Sequence, residues 1–183
     1  MEIALVDIDL LKNEFSSGRT DASGIRNFTR MLYDRSDQFK HLLLFGDGSY
    51  DFRNVYNQGN NFIPVYQTKQ SLNPVSAYPT DDYFTILDEG EILTNASLDI
   101  TVGRLPVKND AEANIMVDKI IDYDTNEDFL GDWRNRVLFV ADDEDGNLHL
   151  RDADGIADDI NVKNPNLNIE KVYVDAYPQV ATP

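Results

Sequence analysis

Residues 41–46 read His-Leu-Leu-Leu-Phe-Gly, and residues 136–141 read Arg-Val-Leu-Phe-Val-Ala. Both are continuous apolar runs, a pattern typical of strands that are buried on both faces of a parallel sheet. Other stretches show the spacing of amphipathic helices between these runs. Strands that alternate with helices predict an α/β fold with a parallel sheet, because parallel neighbours need a crossover connection.

The helices are predicted from their caps and their apolar spacing. Asp21 can cap a helix over residues 22–37. Asn109 and Glu112 form a capping box, and apolar residues follow it at helical spacing as far as Tyr123. A third helix is predicted over residues 150–160. Further strands are predicted at residues 3–8, 62–66, 83–87, 98–103 and 169–174.

Composition excludes several classes of function. The 183 residues include 33 Asp and Glu against 16 Lys and Arg, a net charge of −17. Nucleic acid is excluded as a partner, because phosphate backbones are bound by Lys and Arg clusters and this sequence has none. No apolar run approaches the roughly 20 residues of a membrane span. The N-terminus does not resemble a signal peptide, so we expect the stretch to belong to a longer parent chain.

The chain has no cysteine, and its two histidines are His41 and His149. Disulfides, thiolate nucleophiles and cysteine-type zinc sites are therefore excluded within these residues. The glycine-rich turn at residues 46–51 matches neither a phosphate-binding loop nor the Gly-x-Ser-x-Gly pattern of serine hydrolases. The run from Arg136 into the acidic residues imitates the first strand of a receiver domain, but too few residues follow it for that fold.

Two acidic clusters are candidates for a bound cation. Residues 142–145 (Asp-Asp-Glu-Asp) follow a predicted strand at its carboxyl end, where α/β folds place their sites. Asp81 and Asp82 precede another predicted strand. Each cluster either holds a hard cation such as Ca²⁺ or is an acidic loop or turn in solvent. The candidate metal ligands are Asp142, Asp143, Asp145, Asp81 and Asp82.

Several segments, taken together and in order, resemble the gingipain-type cysteine peptidases. Among them are Leu42-Leu-Leu-Phe-Gly-Asp-Gly-Ser-Tyr-Asp51, Tyr78-Pro-Thr-Asp-Asp-Tyr-Phe84 and Val102-Gly-Arg-Leu-Pro-Val107. Within the family, the likeness is greatest to the sortase-like branch that serves the type IX secretion system of Bacteroidetes. The other matching segments are residues 13–19, 24–28, 31–35, 63–68, 111–120, 133–137 and 142–145.

The resemblance implies a caspase-like parallel-sheet sandwich of two subdomains. Residues 1–131 correspond to the first subdomain, and residues 132–183 to the beginning of the second. The chain is then truncated before the catalytic His and Cys of the family. No catalytic residue can be carried over, because His149 lacks the Gly-His-Gly context and no cysteine is present. We therefore expect this stretch to be inactive alone.

The resemblance also implies a site, a cofactor and partners. His149 aligns nearest to an acidic residue that lines the substrate pocket of Arg-specific gingipains, so it is the candidate pocket residue. The alternative is a residue that forms hydrogen bonds within its own loop. Structural Ca²⁺ is implied. The expected partners are protein substrates that carry secretion-signal domains and other outer-membrane proteins of the secretion system. The expected location is the cell surface or the medium. The alternative is a non-catalytic, Ca²⁺-binding surface module with a peptidase-like fold.

Overall fold

The computed structural model describes residues 3–52, 55–56, 59, 61–68, 72–73 and 76–178. The chain forms two compact units, one extending to Ile120 and the other starting at Ile121. The predicted subdomain boundary after residue 131 remains a prediction. The chain has mixed α/β structure with short parallel sheets, consistent with the caspase-like fold that the resemblance implies.

The first unit is built around a parallel pair of strands. β1 (His41–Phe45) pairs with β4 (Thr101–Leu105), so that Leu43 lies opposite Gly103. The predicted parallel pairing is confirmed. A short antiparallel pair lies between them in sequence. The other elements are α1 (Ile8–Phe15), α2 (Ala22–Arg35), β2 (Tyr66–Gln67), β3 (Pro79–Thr80) and α3 (Asp110–Thr125), which continues into the second unit.

Two predicted strands are wrong, and two others are displaced: β2 shares only Tyr66 with the predicted strand 62–66, and β4 covers residues 101–105 where 98–103 was predicted. Residues 3–7 are not paired, because the carboxylate of Asp7 caps α1 and accepts the backbone N–H of Asp9 at 2.7 Å. The predicted strand at residues 83–87 starts instead with a 3₁₀ helix, Asp82–Phe84. There the N–H of Phe84 donates to the carbonyl of Asp81. In both places local hydrogen bonds replace those of a sheet: a side-chain carboxylate is the acceptor at Asp7, and a backbone carbonyl is the acceptor at Asp81.

The predicted caps are confirmed. Asp21 accepts the N–H of Ser23 at 2.8 Å at the start of α2. Asn109 accepts the N–H of Glu112 at 2.9 Å, while the Glu112 carboxylate accepts the N–H of Lys108 at 2.9 Å. This second bond reaches one residue further back than in a standard capping box. It fixes the connection between β4 and α3.

The core of the first unit lies where α1, α2, β1 and the 3₁₀ helix meet. Its buried members are Leu11, Ile25, Leu44 and Phe84. Thr29 of α2 is fully buried beside them, and its hydroxyl lies 2.8 Å from the carbonyl oxygen of Phe84. This hydroxyl gives a buried backbone acceptor a partner outside regular secondary structure.

The second unit contains another parallel pair. β5 (Arg136–Ala141) pairs with β6 (Asn168–Tyr173) through the crossover helix α4 (Glu144–Lys163). α4 packs on one face of this pair with Ala157 fully buried. On β5, however, Leu138 is 54% and Val140 62% exposed. On β1, Leu43 is likewise 62% exposed. The expectation that β1 and β5 are buried on both faces is therefore wrong.

α4 is longer than predicted and is tied to β6 by a polar network. Lys171 donates to Asp154 and Asp158 at 2.7 Å each, and the Tyr173 hydroxyl donates to Asp154 at 3.0 Å. The hydrogen bond from Lys171, followed by that from Tyr173, lowers the pKa of the Asp154 carboxyl below its usual 3.8. The hydrogen bonds that Lys171 donates to Asp154 and Asp158 raise the pKa of Lys171.

We predict that Thr29→Val lowers the free energy of unfolding by about 1–2 kcal/mol, because the Phe84 carbonyl loses its buried donor. The control is Thr125→Val, whose hydroxyl donates to Ile121 on the exposed surface of α3. It should change stability by no more than about 0.5 kcal/mol. Urea unfolding checks both variants. Equal effects from the two substitutions would contradict the role assigned to Thr29.

The Asp154 network predicts an acid-dependent loss of stability. Since folding lowers the pKa of Asp154, its contribution is present above the unfolded value near 3.8 and is lost as the pH falls below it. Asp154→Asn should flatten the decrease of stability with acid in this range, relative to the wild type. Unfolding midpoints measured between neutral pH and the acid range test this. Parallel pH profiles for the two proteins would show that the network does not couple to folding.

Candidate functional site

One of the predicted metal ligands, Asp81, is paired with an arginine. Arg104 of β4 donates from Nε to Asp81 Oδ2 and from Nη2 to Oδ1, both at 2.7 Å. The two side chains are only 13% and 21% exposed. Asp82, its neighbour, is exposed at the start of the 3₁₀ helix. The two carboxylates are thus in different environments, and Asp81 is neutralised by a partner within the protein.

Arg104 also joins three other points of the chain. Its Nη1 donates to the carbonyls of Gly46 and Ile63 at 2.9 Å each, and its Nη2 reaches the carbonyl of Pro64 at 3.4 Å. Gly46 lies directly after β1, at the carboxyl end of the parallel strands. One guanidinium therefore holds the loops at this edge of the sheet, where α/β folds place their sites.

Aromatic rings pack beside this edge. Tyr66 of β2 stacks on Tyr83 with the ring centroids 3.9 Å apart. The guanidinium of Arg26 lies 5.3 Å from the centroid of the Tyr83 ring and donates to the carbonyl of Ile86. The Tyr83 hydroxyl lies 3.3 Å from Ser23 Oγ. These contacts fasten the 3₁₀ helix to α2 and to the loop that Arg104 holds.

In the second unit, the predicted acidic loop lies at the carboxyl end of β5. Asp142, Asp143 and Asp145 are exposed. Three successive residues have a positive φ: 52° at Asp145, 66° at Gly146 and 63° at Asn147. These three residues interrupt α4 with a left-handed turn, a conformation that aspartate, glycine and asparagine tolerate best.

The turn brings His149 back to Asp145. His149 Nε2 lies 3.3 Å from Asp145 Oδ2, and the two side chains are 58% and 75% exposed. The predicted pocket residue thus lies at the carboxyl edge of β5 with a carboxylate beside it. The other histidine, His41, has its Nδ1 2.6 Å from Thr101 Oγ1 across the β1–β4 pair.

A different acidic group converges in the structure. Asp88, Glu91 and Asp99 each offer an oxygen, and these oxygens all lie within 4.8 Å of one another. A search of the described residues for three or more potential metal ligands that lie close together gives this group. Sequence reasoning did not select it. The available signal was a run of acidic residues interrupted by the turn-forming Gly90, followed at a distance by one more acid.

The chemistry of this group fits the calcium that the resemblance implies. Its donors are all carboxylates, and Ca²⁺ prefers oxygen ligands. Oε2 of Glu91 is buried and has no hydrogen-bond partner among the residues that the structure describes. Cation binding by Asp142, Asp143, Asp145, Asp81 and Asp82 remains a prediction, although the pairing with Arg104 already provides Asp81 with a positive charge.

Comparisons with known proteins give a match at the level of the family. A family model described as Peptidase family C25 matches residues 1–183. Neither the curated proteins nor the solved structures contain a match. None of the helices in the described part of the chain has the length and apolar character needed to span a bilayer.

We predict that Arg104→Met lowers the free energy of unfolding by about 3 kcal/mol, since it leaves the Asp81 carboxylate without its positive partner in a largely buried place. The control is Arg136→Met, which breaks the exposed pair of Arg136 and Glu170 on β5. It should cost at most about 1 kcal/mol. Urea unfolding of both variants gives the comparison. Similar losses of stability in the two variants would contradict the role assigned to Arg104.

Proposed function

The chain belongs to peptidase family C25, the gingipain family of cysteine peptidases, and we propose that it is part of a peptidase or transpeptidase that processes secretion-signal domains. The proposed counterpart is PorU, the sortase-like peptidase of the type IX secretion system. The substrates would be exported proteins that carry C-terminal signal domains. The family match over all 183 residues carries the proposal.

The proposed chemistry is acyl transfer through a cysteine and a histidine. The cysteine thiolate attacks the carbonyl carbon of the scissile peptide, and the histidine transfers a proton to the departing amine. Water, or the amine of an acceptor, then releases the acyl group. The chain contains no cysteine. We therefore propose that both catalytic groups are contributed by parts of the parent protein outside residues 1–183.

Within this scheme, the residues described here build and shape the domain. The first unit supplies the β1–β4 sheet whose loops Arg104 holds. The second unit supplies β5, with His149 at its carboxyl edge as the proposed pocket residue. An imidazole in place of a carboxylate offers weaker attraction to a basic substrate side chain at neutral pH. Preference for cleavage after Arg or Lys is thus not part of the proposal.

The proposal includes location and partners. The parent protein would act at the cell surface or in association with the outer membrane. It would work alongside other outer-membrane proteins of the same secretion system. Structural Ca²⁺ would support the fold. The high net negative charge, −17, is compatible with a calcium-rich extracellular medium.

A second candidate is a non-catalytic, Ca²⁺-binding module with a peptidase-like fold. The observation that favours it is the complete lack of cysteine in the stretch that the family model covers. The parent sequence discriminates between the two candidates. A Gly-His-Gly segment followed by a cysteine beyond residue 183 would support the peptidase, and the lack of both would support the module.

We predict that residues 1–183 alone do not hydrolyse peptides, whereas the parent protein releases the signal domain from an exported substrate. Mass spectrometry of the products measures the release. Substitution of the downstream cysteine by alanine in the parent should abolish it. Hydrolysis by residues 1–183 alone, lost on substitution of a residue within them, would contradict the placement of the catalytic groups. Release that survives loss of the cysteine would contradict the cysteine mechanism.

A further inference from the structure

The segment that leads from the end of α3 to β5, in the second unit, carries a group of large apolar side chains that face solvent. Leu130 is 63% and Trp133 51% exposed, and the rings of Tyr123 and Phe129 are exposed in the same segment. Single exposed apolar residues are ordinary on a protein surface, but a group of them rimmed by polar residues is typical of a binding surface. We call these four residues the connector surface.

One arginine holds the rings of the connector surface. The Arg134 guanidinium lies 4.1 Å from the centroid of the Tyr123 ring and 5.5 Å from that of the Trp133 ring. The two rings meet edge to face with their centroids 5.8 Å apart. Arg134 also donates from Nε to the carbonyl of Phe129 at 3.0 Å and from Nη2 to the carbonyl of Tyr123. A single side chain therefore ties the end of α3 to the start of β5 and fixes the rings against each other.

The backbone between the rings is fixed as well. The side-chain oxygen of Asn126 accepts the N–H of Asp128 at 3.0 Å. A β-carbon at Gly131 would lie 3.0 Å from the indole of Trp133, so glycine leaves room for this close approach. A surface that is already ordered loses little conformational entropy when a partner binds, which leaves more of the contact energy for binding.

Acidic residues are interleaved with the connector surface. Residues 121–135 contain a single base, Arg134, and the acids Asp122, Asp124, Glu127, Asp128 and Asp132. In the part of the chain that the structure describes, none of these carboxylates forms an ion pair within 4.0 Å. Arg134 directs its donors to backbone carbonyls instead. The segment thus combines exposed apolar side chains with negative charge that no cation of the chain compensates.

We propose that the connector surface binds a segment of another polypeptide in which apolar side chains stand next to Lys or Arg. The apolar side chains of that segment cover Leu130 and Trp133, and its cations pair with the free carboxylates. Tryptophan and tyrosine are enriched among the residues that contribute most to protein–protein binding. The surface is separate from the peptidase reaction proposed above and does not depend on it.

Charge decides among the candidate occupants. In a symmetric contact, a second copy of this chain would bring the same acids against one another, which costs free energy. Anionic bilayers and nucleic acids are repelled for the same reason. A neutral apolar peptide would cover the rings but would take water from the carboxylates without replacing it. A basic and apolar polypeptide segment satisfies both parts of the surface.

The charge of the whole chain extends this preference beyond contact distance. The net charge of −17 attracts a cationic partner and accelerates its encounter with the surface. Salt screens such attraction between exposed groups, whereas it does not weaken the burial of apolar surface. Binding should therefore weaken as the salt concentration rises without being lost completely.

Trp133 is the one tryptophan of the chain, so its fluorescence reports directly on the connector surface. The test is a titration of the purified chain with a short synthetic peptide of alternating Arg and Leu. The emission of Trp133 should move to shorter wavelength and reach saturation, because the indole leaves water, and added NaCl should weaken the affinity. Peptides with Glu in place of Arg, or with Ser in place of Leu, should bind about tenfold more weakly or worse.

Two pairs of variants locate the contact. Leu130→Ser should weaken binding about fivefold or more, since it removes a central apolar contact, whereas Leu138→Ser, which alters an exposed leucine of β5, should leave the affinity unchanged. Asp128→Asn should lower both the affinity and its dependence on salt. Asp142→Asn, the matched loss of one charge from the acidic loop after β5, should change neither. All four side chains are exposed, so the variants should fold.

The proposal is wrong if the Arg–Leu peptide leaves the emission of Trp133 unchanged, or if the Glu–Leu peptide binds as tightly. It is also wrong if Leu138→Ser abolishes binding while Leu130→Ser does not, because the peptide would then lie on β5. Light scattering that shows the mass rising with protein concentration, an effect lost in Leu130→Ser, would identify a second copy as the occupant and overturn the proposal. None of these measurements involves peptide hydrolysis, so they leave the proposed peptidase function untouched.

Discussion

The first unit depends on the placement of one positive charge. Arg104 comes from the second strand of the parallel pair, and its guanidinium binds both oxygens of Asp81 and reaches carbonyls at Gly46, Ile63 and Pro64. The planar group has enough donors for all of these acceptors at once, which a lysine would not have. Backbone carbonyls of loops buried at a sheet edge need such a donor, because no neighbouring strand supplies one. The loops around the sheet are therefore organised by a side chain as much as by their own turns.

The elements that were predicted correctly are those whose signals are local. Asp21 and Asn109 cap their helices through side chains two or three residues away from the groups they bind. The parallel strands β1 and β5 follow from continuous apolar runs. At residues 3–8 and 83–87, β-branched and aromatic residues favour a strand, but local hydrogen bonds satisfy the backbone in another way: the Asp7 carboxylate caps a helix, and a 3₁₀ turn forms at residues 82–84. Burial on both faces was also overestimated, since apolar runs report composition and not what covers the sheet.

The candidate sites show where sequence reasoning stops. Asp81 was considered a metal ligand because it adjoins Asp82, yet its partner, Arg104, is 23 residues away in sequence. Asp88, Glu91 and Asp99 escaped notice because a turn and a separate segment bring them together. The acidic loop and His149 were placed correctly at the carboxyl end of a strand, but the left-handed turn that returns His149 to Asp145 has no clear signal beyond the Asp-Gly-Asn sequence. The family could be inferred because many weak segments occur in one order.

The parallel pairing of β1 with β4 affects the rate at which the first unit can fold. His41 meets Thr101 across the pair although 60 residues separate them in sequence. Closing so long a loop loses chain entropy before any contact compensates for it, and folds rich in such distant pairings form slowly. In the second unit, one helix alone separates β5 from β6, so its pairing closes a shorter loop. In a nascent chain, the apolar strand β1 would thus remain unpaired until the stretch after residue 100 has been synthesised. During that interval, protection from aggregation would have to come from outside the domain.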